Sequence, residues 1–301
     1  MAKLSALTSY CAQHAVFYRT DEPMKRHTTF KIGGPAAFYA EPDSVLQLKG
    51  LLRACRAQEV EAVVIGNGSN LLVSDEGIDG AVICLGPRFS GISLMEDGLV
   101  LAEAGATLAH LCRFAADNAL SGLEFAYGIP GSVGGGVYMN AGAYGGEMRD
   151  VVLEVHCLDD FLAPVSISAE ACDFGYRHSL FMQNSHVVTG AVFALSPGDR
   201  DDICGRMEDI MARRIQKQPL ELPSAGSVFR RPEGAFAAAL IEQCGLKGRR
   251  IGGAQVSAKH AGFIVNTGGA TCRDVEALIA LIQSEVRDRT GYTLDCEIKR
   301  L

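Results

Sequence analysis

The chain has 301 residues, 48% of them hydrophobic and 21% charged, with a formal net charge of −7. This is the composition of a globular chain with enough length for two or three domains, and it excludes a disordered one. The acidic balance excludes nucleic acid as the main partner, because neutralising phosphates needs a basic face. From the amino terminus, residues 1–20 read as a short helix, and the alternating run 36–40 suits a strand. Asp43 or Ser44 can cap a helix whose apolar face is Val45, Leu48, Leu51, Leu52 and Cys55. Residues 62–65 read as a fully buried strand running into Gly66-Asn67-Gly68-Ser69-Asn70. A strand that ends in small residues presents backbone N–H groups, and a nest of these binds pyrophosphate. The turn is no GxGxxG fingerprint, since Leu71 fills the sixth position and 71–73 reads as another strand; GxxxxGK is absent as well.

Strands are expected over 81–85, 92–95 and 99–104, the last two joined by the turn Glu96-Asp97-Gly98. Thr107 caps a helix with Leu108, Leu111, Phe114 and Ala115 inward. Residues 128–147, GIPGSVGGGVYMNAGAYGGE, then place eight glycines in one stretch. Such density implies positive φ, or another molecule lying where a Cβ would clash. Ile129, Val133, Val137, Tyr138 and Met139 make the stretch no polar linker. It reads as a wall around a flat or phosphorylated ligand, with a tightly turned loop as the alternative.

Residues 151–158 and 186–195 read as strands around the loop Cys172-Asp173-Phe174-Gly175-Tyr176-Arg177-His178-Ser179. A helix over 201–217 buries Ile203, Met207, Ile210 and Met211, while Arg213, Arg214 and Lys217 suit the dipole of a solvated end. A loop over 218–227 precedes 228–232, and 235–244 forms a helix stopped by Gly245. Thr271 caps the last helix with Asp274 at its third position; Val275, Leu278, Ile279, Ile282 and Val286 keep the helical period up to Gly291. In the tail, Tyr292, Leu294, Cys296 and Ile298 share one face, and Thr293, Asp295 and Glu297 the other.

Ten cysteines are spread along the chain with no CxxC or other metal-ligand spacing. Several sit in apolar runs such as Val82-Ile83-Cys84-Leu85, where a thiol acts as a small hydrophobe. A reducing compartment is expected, with no disulfide framework and no bound metal. No signal peptide and no apolar membrane span are apparent, so the expected location is cytoplasmic. Isolated polar residues remain as chemical candidates. Arg177 in FGYRHS offers a planar fork for a carboxylate or a developing anion. Ser227 is no nucleophile elbow, since GxSxG is absent. Glu297 sits on the polar face of the tail, and His260 lacks the HxxxH or HxH partner of a metal site. These residues alone support an α+β protein with two glycine-lined anion or cofactor sites.

The chain resembles the UDP-N-acetylenolpyruvoylglucosamine reductases (UDP-N-acetylmuramate dehydrogenases) along nearly its whole length. The matching segments are TTFKIGGPA at 28–36, VIGNGSNLLVSDEGIDGAVI at 64–83, GIPGSVGGGVYMNAGAYGGE at 128–147 and FGYRHSLF at 174–181. PSAGSVFRRP at 223–232, GGAQVSAKHAGFIVN at 252–266 and LDCEIK at 294–299 complete them. PSAGSVF and SAKHAGFIVN resemble the family's second type, which lacks an inserted substrate-covering loop. One departure is Cys296 before Glu297, where the family commonly carries proline or another residue.

The resemblance implies an α+β fold: an N-terminal helical segment over 1–23, and over 24–195 a two-lobed FAD-binding domain of the vanillyl-alcohol oxidase/p-cresol methylhydroxylase type. A smaller α+β substrate domain over 196–291 and a strand over 292–301 returning to the active site follow. It implies FAD as bound cofactor, with Gly66, Asn67, Gly68, Ser69 and Asn70 at its pyrophosphate. Gly128, Pro130, Gly131, Ser132, Gly134, Gly135, Asn140, Ala141 and Gly142 would line the flavin. NADPH is the implied hydride donor and UDP-N-acetylglucosamine enolpyruvate the small-molecule substrate, with Tyr176, Arg230, His260 and Asn266 as its contacts. Arg177 and Glu297 would stabilise developing negative charge, and Ser227 would protonate C2. A Glu297 that acts protonated needs its pKa raised by burial or a nearby like charge. A flavin oxidase of the same superfamily and a flavin-binding protein without turnover are the alternatives.

Overall fold

A computed structural model describes residues 2–301. The chain forms two compact units. Unit one comprises the residues up to Thr20 together with Phe38–Asn67 and Gly80–Ala212; unit two comprises Asp21–Ala37, Gly68–Asp79 and Arg213–Leu301.

Unit one is built on a five-stranded antiparallel sheet in the order Pro164–Ser168, Val152–Leu158, Val187–Phe193, Val100–Glu103, Ile92–Leu94. Alternation along these strands sends Val100, Ala102, Val155, Cys157, Ala191 and Phe193 into one core. Helix Leu108–Asp117 adds Leu108, Leu111 and Ala115 to it, and Thr107 caps that helix by accepting from the His110 amide at 3.1 Å. The Ile92–Leu94/Val100–Glu103 hairpin turns where expected, through Asp97 and Gly98 at φ 62° and 76°. A second core gathers Leu7, Cys11, Phe38, Leu48, Leu51, Leu52, Cys55, Ala81 and Ile83 around helix Val45–Ala57, capped by Ser44.

A four-stranded sheet runs in the order Phe17–Pro23, Pro35–Glu41, Ile78–Cys84, Ala62–Ile65. Two expectations change here. Residues 1–20 hold the helix Ala2–Gln13 and then the start of a strand whose centre, Arg19 to Glu22, is polar because it lies at a sheet edge. Ala62–Ile65 ends the other edge, so only Ile65 of its four residues is buried.

Unit two carries the antiparallel order Ser224–Ser227, Phe263–Asn266, Ala254–Val256, Arg250–Ile251. Helices Ala237–Gln243 and Cys272–Thr290 supply Leu240, Ile241, Val275, Leu278, Ile282 and Val286 to its core. Thr271 and Asp274 form the expected capping box, and Gly291 closes the long helix in the left-handed conformation at φ 76°. Asp75, 197 residues before Cys272, also caps that helix: its carboxylate accepts from the Cys272 amide at 2.8 Å and the Arg273 amide at 3.1 Å. Lys299–Arg300 pairs in parallel with Leu71–Leu72. The tail alternates only in part, with Leu294 and Ile298 buried and Cys296 exposed. Arg214 is buried and donates to Gln218 at 3.5 Å, so of the three basic residues near the end of helix Arg200–Lys217 only Arg213 and Lys217 are solvated. All ten cysteines are free thiols. No helix among the described residues is long and apolar enough to cross a membrane, and none of their acidic, His and Cys side chains cluster to hold a metal.

Candidate functional site

The glycine stretch of unit one has two halves. Ser132 opens the short helix Val133–Tyr138 and accepts from the Gly135 amide at 3.4 Å. The second half is a hairpin, Gly142–Ala143 against Gly146–Glu147, turned through Tyr144 and Gly145 at φ 52° and 92°. Positive φ at both turn positions is the signature of the tight two-residue hairpin loop. Several glycines serve neither of the expected purposes. A Cβ on Gly134 would lie 2.8 Å from the Ala104 Cβ, and one on Gly146 would lie 2.7 Å from the Phe125 ring. The close neighbour there is the chain itself.

Gly66 is different in kind. A Cβ at this position would overlap the Ser132 hydroxyl, so its absence lets the strand-ending turn lie against the start of the Val133–Tyr138 helix. Asn67 fixes this approach by donating from Nδ2 to the Pro130 carbonyl at 3.0 Å. The N–H groups of Gly66, Asn67, Gly131 and Ser132 have no acceptor among the described residues. Converging amides without protein partners form a cradle for phosphate oxygens. In unit two, Gly68 (φ 61°) lies where a Cβ would strike the His27 carbonyl, and its own carbonyl accepts from the Thr29 amide at 3.3 Å.

The loop with Arg177 hangs from the glycine stretch by three hydrogen bonds. Asn140 Nδ2 donates to the Gly175 carbonyl at 2.9 Å, Arg177 Nη2 to the Gly142 carbonyl at 3.0 Å, and Ser179 Oγ to the Tyr138 carbonyl at 2.7 Å. Gly175 and His178 close the loop into a turn by exchanging backbone bonds of 3.1 and 3.2 Å. Arg177 sits inside the turn at φ 53°, a left-handed conformation that costs a side-chain-bearing residue about 1–2 kcal/mol. Its guanidinium carbon lies 5.2 Å from the centre of the half-exposed Tyr176 ring. Asn140, expected at the cofactor, is fully buried; Nδ2 also donates to Glu147 at 3.1 Å, and Oδ1 accepts from the Arg149 amide at 3.0 Å. Ser179 is also fully buried, and no local sequence pattern singled it out.

Ser227 and Glu297 belong to unit two, and backbone pairing brings them together. The Glu297 amide donates to the Val228 carbonyl at 2.7 Å, the Arg230 amide to the Asp295 carbonyl at 2.9 Å, and Phe229 bridges Cys296. Ser227 is therefore one residue from the bond that holds Glu297. Residues 224–227, expected as loop, are a strand whose register slips by one between Ser224↔Val265 and Ser227↔Phe263. That bulge, with Gly226 at φ 77°, re-aims the serine, whose hydroxyl has no partner among the described residues. Asn70 joins the same group: its Nδ2 donates to the Glu297 carbonyl at 3.2 Å, and its carbonyl accepts from the Lys299 amide at 2.8 Å. Arg177 is part of the other unit.

Three further residues of unit two were expected at a substrate. Arg230 has a buried Nε with no hydrogen-bond partner among the described residues, a donor that an anionic ligand oxygen would satisfy. Asn266 is buried and organises its own surroundings, donating to the Phe30 carbonyl at 3.1 Å and accepting from the Gly268 and Ala270 amides. His260 has its Nδ1 engaged by the Gly262 amide at 3.1 Å, and burial lowers its pKa, which favours the neutral ring.

Unpartnered amides at the end of an edge strand, beside a short capped helix in an α+β unit, fit a dinucleotide cofactor without the Rossmann fingerprint. The family model described as FAD binding domain matches residues 36–160. Berberine bridge enzyme from Eschscholzia californica superposes over 66% of this chain and 44% of its own with a TM-score of 0.50 at 18% identity, a likeness of fold alone. The class is thus an FAD-binding protein with a fold of the vanillyl-alcohol oxidase/p-cresol methylhydroxylase type. The model for the UDP-N-acetylenolpyruvoylglucosamine reductase C-terminal domain matches residues 218–301. The UDP-N-acetylenolpyruvoylglucosamine reductase of Syntrophomonas wolfei is 47% identical over 281 residues, 93% of this chain and 94% of that protein. The crystal structure of the Thermus caldophilus enzyme superposes with a TM-score of 0.81 at 36% identity, covering 95% of this chain and 98% of its own. The chain belongs to the UDP-N-acetylenolpyruvoylglucosamine reductase family.

Proposed function

We propose that the chain reduces the enolpyruvyl double bond of UDP-N-acetylglucosamine enolpyruvate to give UDP-N-acetylmuramate, with NADPH as hydride donor, in the cytoplasm. The observation that carries this reading is the pairing of 228–230 with 295–297, which brings a serine hydroxyl without a partner among the described residues next to the Glu297 backbone in a chain of this family. Bound FAD supplies hydride chemistry, from NADPH to C3 of the enolpyruvyl group. The amides of Gly66, Asn67, Gly131 and Ser132 would hold its pyrophosphate. The residues 24–195 would form its domain and 196–291 that of the substrate.

An enol ether is electron-rich, and only conjugation to its carboxylate makes hydride addition feasible. Negative charge then develops toward that carboxylate, where preorganised groups have their largest effect. Arg177 and Glu297 take this role, Arg177 held by its bond to Gly142. Ser227 delivers the proton to C2; its hydroxyl is a weak acid in water and acts only on a strongly basic carbon held close by. Arg230 Nε suits a substrate phosphate oxygen, and Tyr176 presents an exposed ring beside Arg177. His260 and Asn266 act mainly by shaping the backbone around Val228 and Pro223, since the Gly262 carbonyl accepts from Val228 and the Asn266 amide donates to Pro223.

The test is anaerobic. NADPH is expected to bleach the bound flavin, and UDP-N-acetylglucosamine enolpyruvate to restore its colour. Efficient recolouring by O₂ together with none by the enolpyruvate would make the protein an oxidase, and no bleaching at all would make it a flavin-binding protein without turnover. In Ser227→Ala, reduction by NADPH stays fast while reoxidation slows by roughly two to four orders of magnitude. Equal slowing of both half-reactions removes the serine from the proton-donor role.

A further inference from the structure

We infer that Asn140 is a positioning residue for Arg177, acting through the Gly175 carbonyl. The inference rests on the reading of Arg177 as the cation facing the developing charge. Asn140 is fully buried, and its side chain joins three separate pieces of backbone and side chain in unit one. Nδ2 reaches Gly175, the first residue of the Arg177 turn, and Glu147 on the far strand of the hairpin; Oδ1 takes the amide of Arg149. Only two residues beyond Asn140, the Gly142 carbonyl accepts from Arg177 itself. The turn is thus fixed at its base by Asn140 and at its guanidinium by the same short segment.

The conformation of Arg177 explains why such a tie is needed. At φ 53° the arginine lies in a region that side-chain-bearing residues leave when nothing holds them. Gly175–His178 is a single narrow turn with two backbone bonds, too small to fix its own orientation. Ser179 holds the exit of the turn through the Tyr138 carbonyl, and Asn140 holds the entry. Asn140 itself adopts φ 41°, a conformation that asparagine accepts more readily than most residues. Asparagine also fits chemically, because one amide group donates twice and accepts once here. Aspartate has the same shape and keeps only the acceptor, and it would set a carboxylate against the Gly175 carbonyl and Glu147.

Asn140→Asp in the holoenzyme is therefore expected to raise amide exchange at Gly175 and His178 by about tenfold or more, with strand Val100–Glu103 unchanged. Unchanged exchange in the turn overturns the inference. Glu147→Gln retains the bond to Gly175 and is expected to leave the turn protected; loss of protection there as great as in Asn140→Asp also overturns it. Should Asn140→Asp fail to fold, Asn140→Ser, too short to reach both partners, gives the same readout. Kinetics separate positioning from general damage. Asn140→Asp should slow reoxidation by the enolpyruvate about ten- to a hundredfold while NADPH reduction changes less than about twofold. In an Arg177→Ala background the same substitution should slow reoxidation less than about twofold. Equal losses in both backgrounds overturn the inference. An Arg177→Ala enzyme that reoxidises at the parent rate refutes the reading of Arg177 and with it the catalytic half of the inference; the exchange result still decides whether Asn140 holds the turn.

Discussion

Gly66→Ala puts the close approach of two turns in unit one to a direct test. The added Cβ would overlap the Ser132 hydroxyl and lie 3.1 Å from the Ser132 Cβ. Either the hydroxyl swings away and gives up the Gly135 amide it caps, or the turn moves back from the helix start. Losing a cap costs about 1 kcal/mol, and forcing a methyl group into a packed contact costs about 1–3 kcal/mol. Taking about 2 kcal/mol as the part felt at the cradle, FAD should dissociate with a constant roughly thirtyfold higher. Titrating apo-protein with FAD and following the loss of flavin fluorescence measures this. The structure also predicts a repair: with Ser132→Ala added, the nearest atom becomes the Ser132 Cβ, a tight but adjustable contact. The double variant should bind FAD about fivefold or more tightly than Gly66→Ala. If Gly66→Ala binds FAD like the parent, or if the two losses simply add, the steric reasoning is wrong.

Thr271→Ala removes the hydroxyl that accepts from the Asp274 amide at 3.1 Å, and about 1 kcal/mol of stability should go with it, read as a lower urea midpoint for unit two. Glu124 gives the acid dependence of unit one. Burial works against its ionisation, but Arg206 at 2.6 Å and the Gly122 amide at 2.8 Å outweigh that and hold its pKa below the usual 4.5. A lowered folded-state pKa means that the contribution is complete above 4.5 and disappears as the pH falls through the lower folded value. Glu124→Gln should flatten that acid limb of the stability profile; an unchanged limb assigns it to other carboxylates. Burial pushes Cys11 up to about 12 and Cys55, Cys84, Cys157, Cys172 and Cys272 up to about 11. A thiol reagent at neutral pH should therefore label only exposed Cys296 and half-buried Cys204 in the folded protein, and all ten thiols in denaturant.

The caps at Ser44, Thr107 and Thr271 were legible because each depends on residues within one turn of itself. Helix Cys272–Thr290 was legible for the same reason, its five expected inward residues all being buried. Edge strands were harder. Phe17–Pro23 has a charged centre that shows no alternation, and Pro164–Ser168 begins at a proline and lies at the end of its sheet. The edge position of Ala62–Ile65 depends on strand order, which no local pattern records. In the glycine stretch, composition pointed to close approach but not to what approaches: Ala104 and Phe125 are distant in sequence. The site residues came from the family resemblance, and the placement of Ser227 beside Glu297 depends on a bulge and a pairing across about seventy residues. Asn140 was legible as a position, whereas its bonds to Gly175 and to the neighbouring Glu147 and Arg149 join two segments that no local pattern connects.

The cap that Asp75 provides to helix Cys272–Thr290 has a consequence for how the protein is made. Chain emerging from the ribosome presents Phe30, Ile32 and Leu72 early, yet the core they join is otherwise drawn from residues 225–298. Unit one is complete in sequence once Ala212 has emerged, so it can form while synthesis continues. The early segments of unit two must wait, with Phe30, Ile32 and Leu72 uncovered until their core partners arrive. The Ser74 amide then bonds to the carbonyl of Leu301 itself, and contacts of such separation form slowly. A nascent chain stalled before residue 272 should keep its first unit folded and offer those apolar side chains to chaperones.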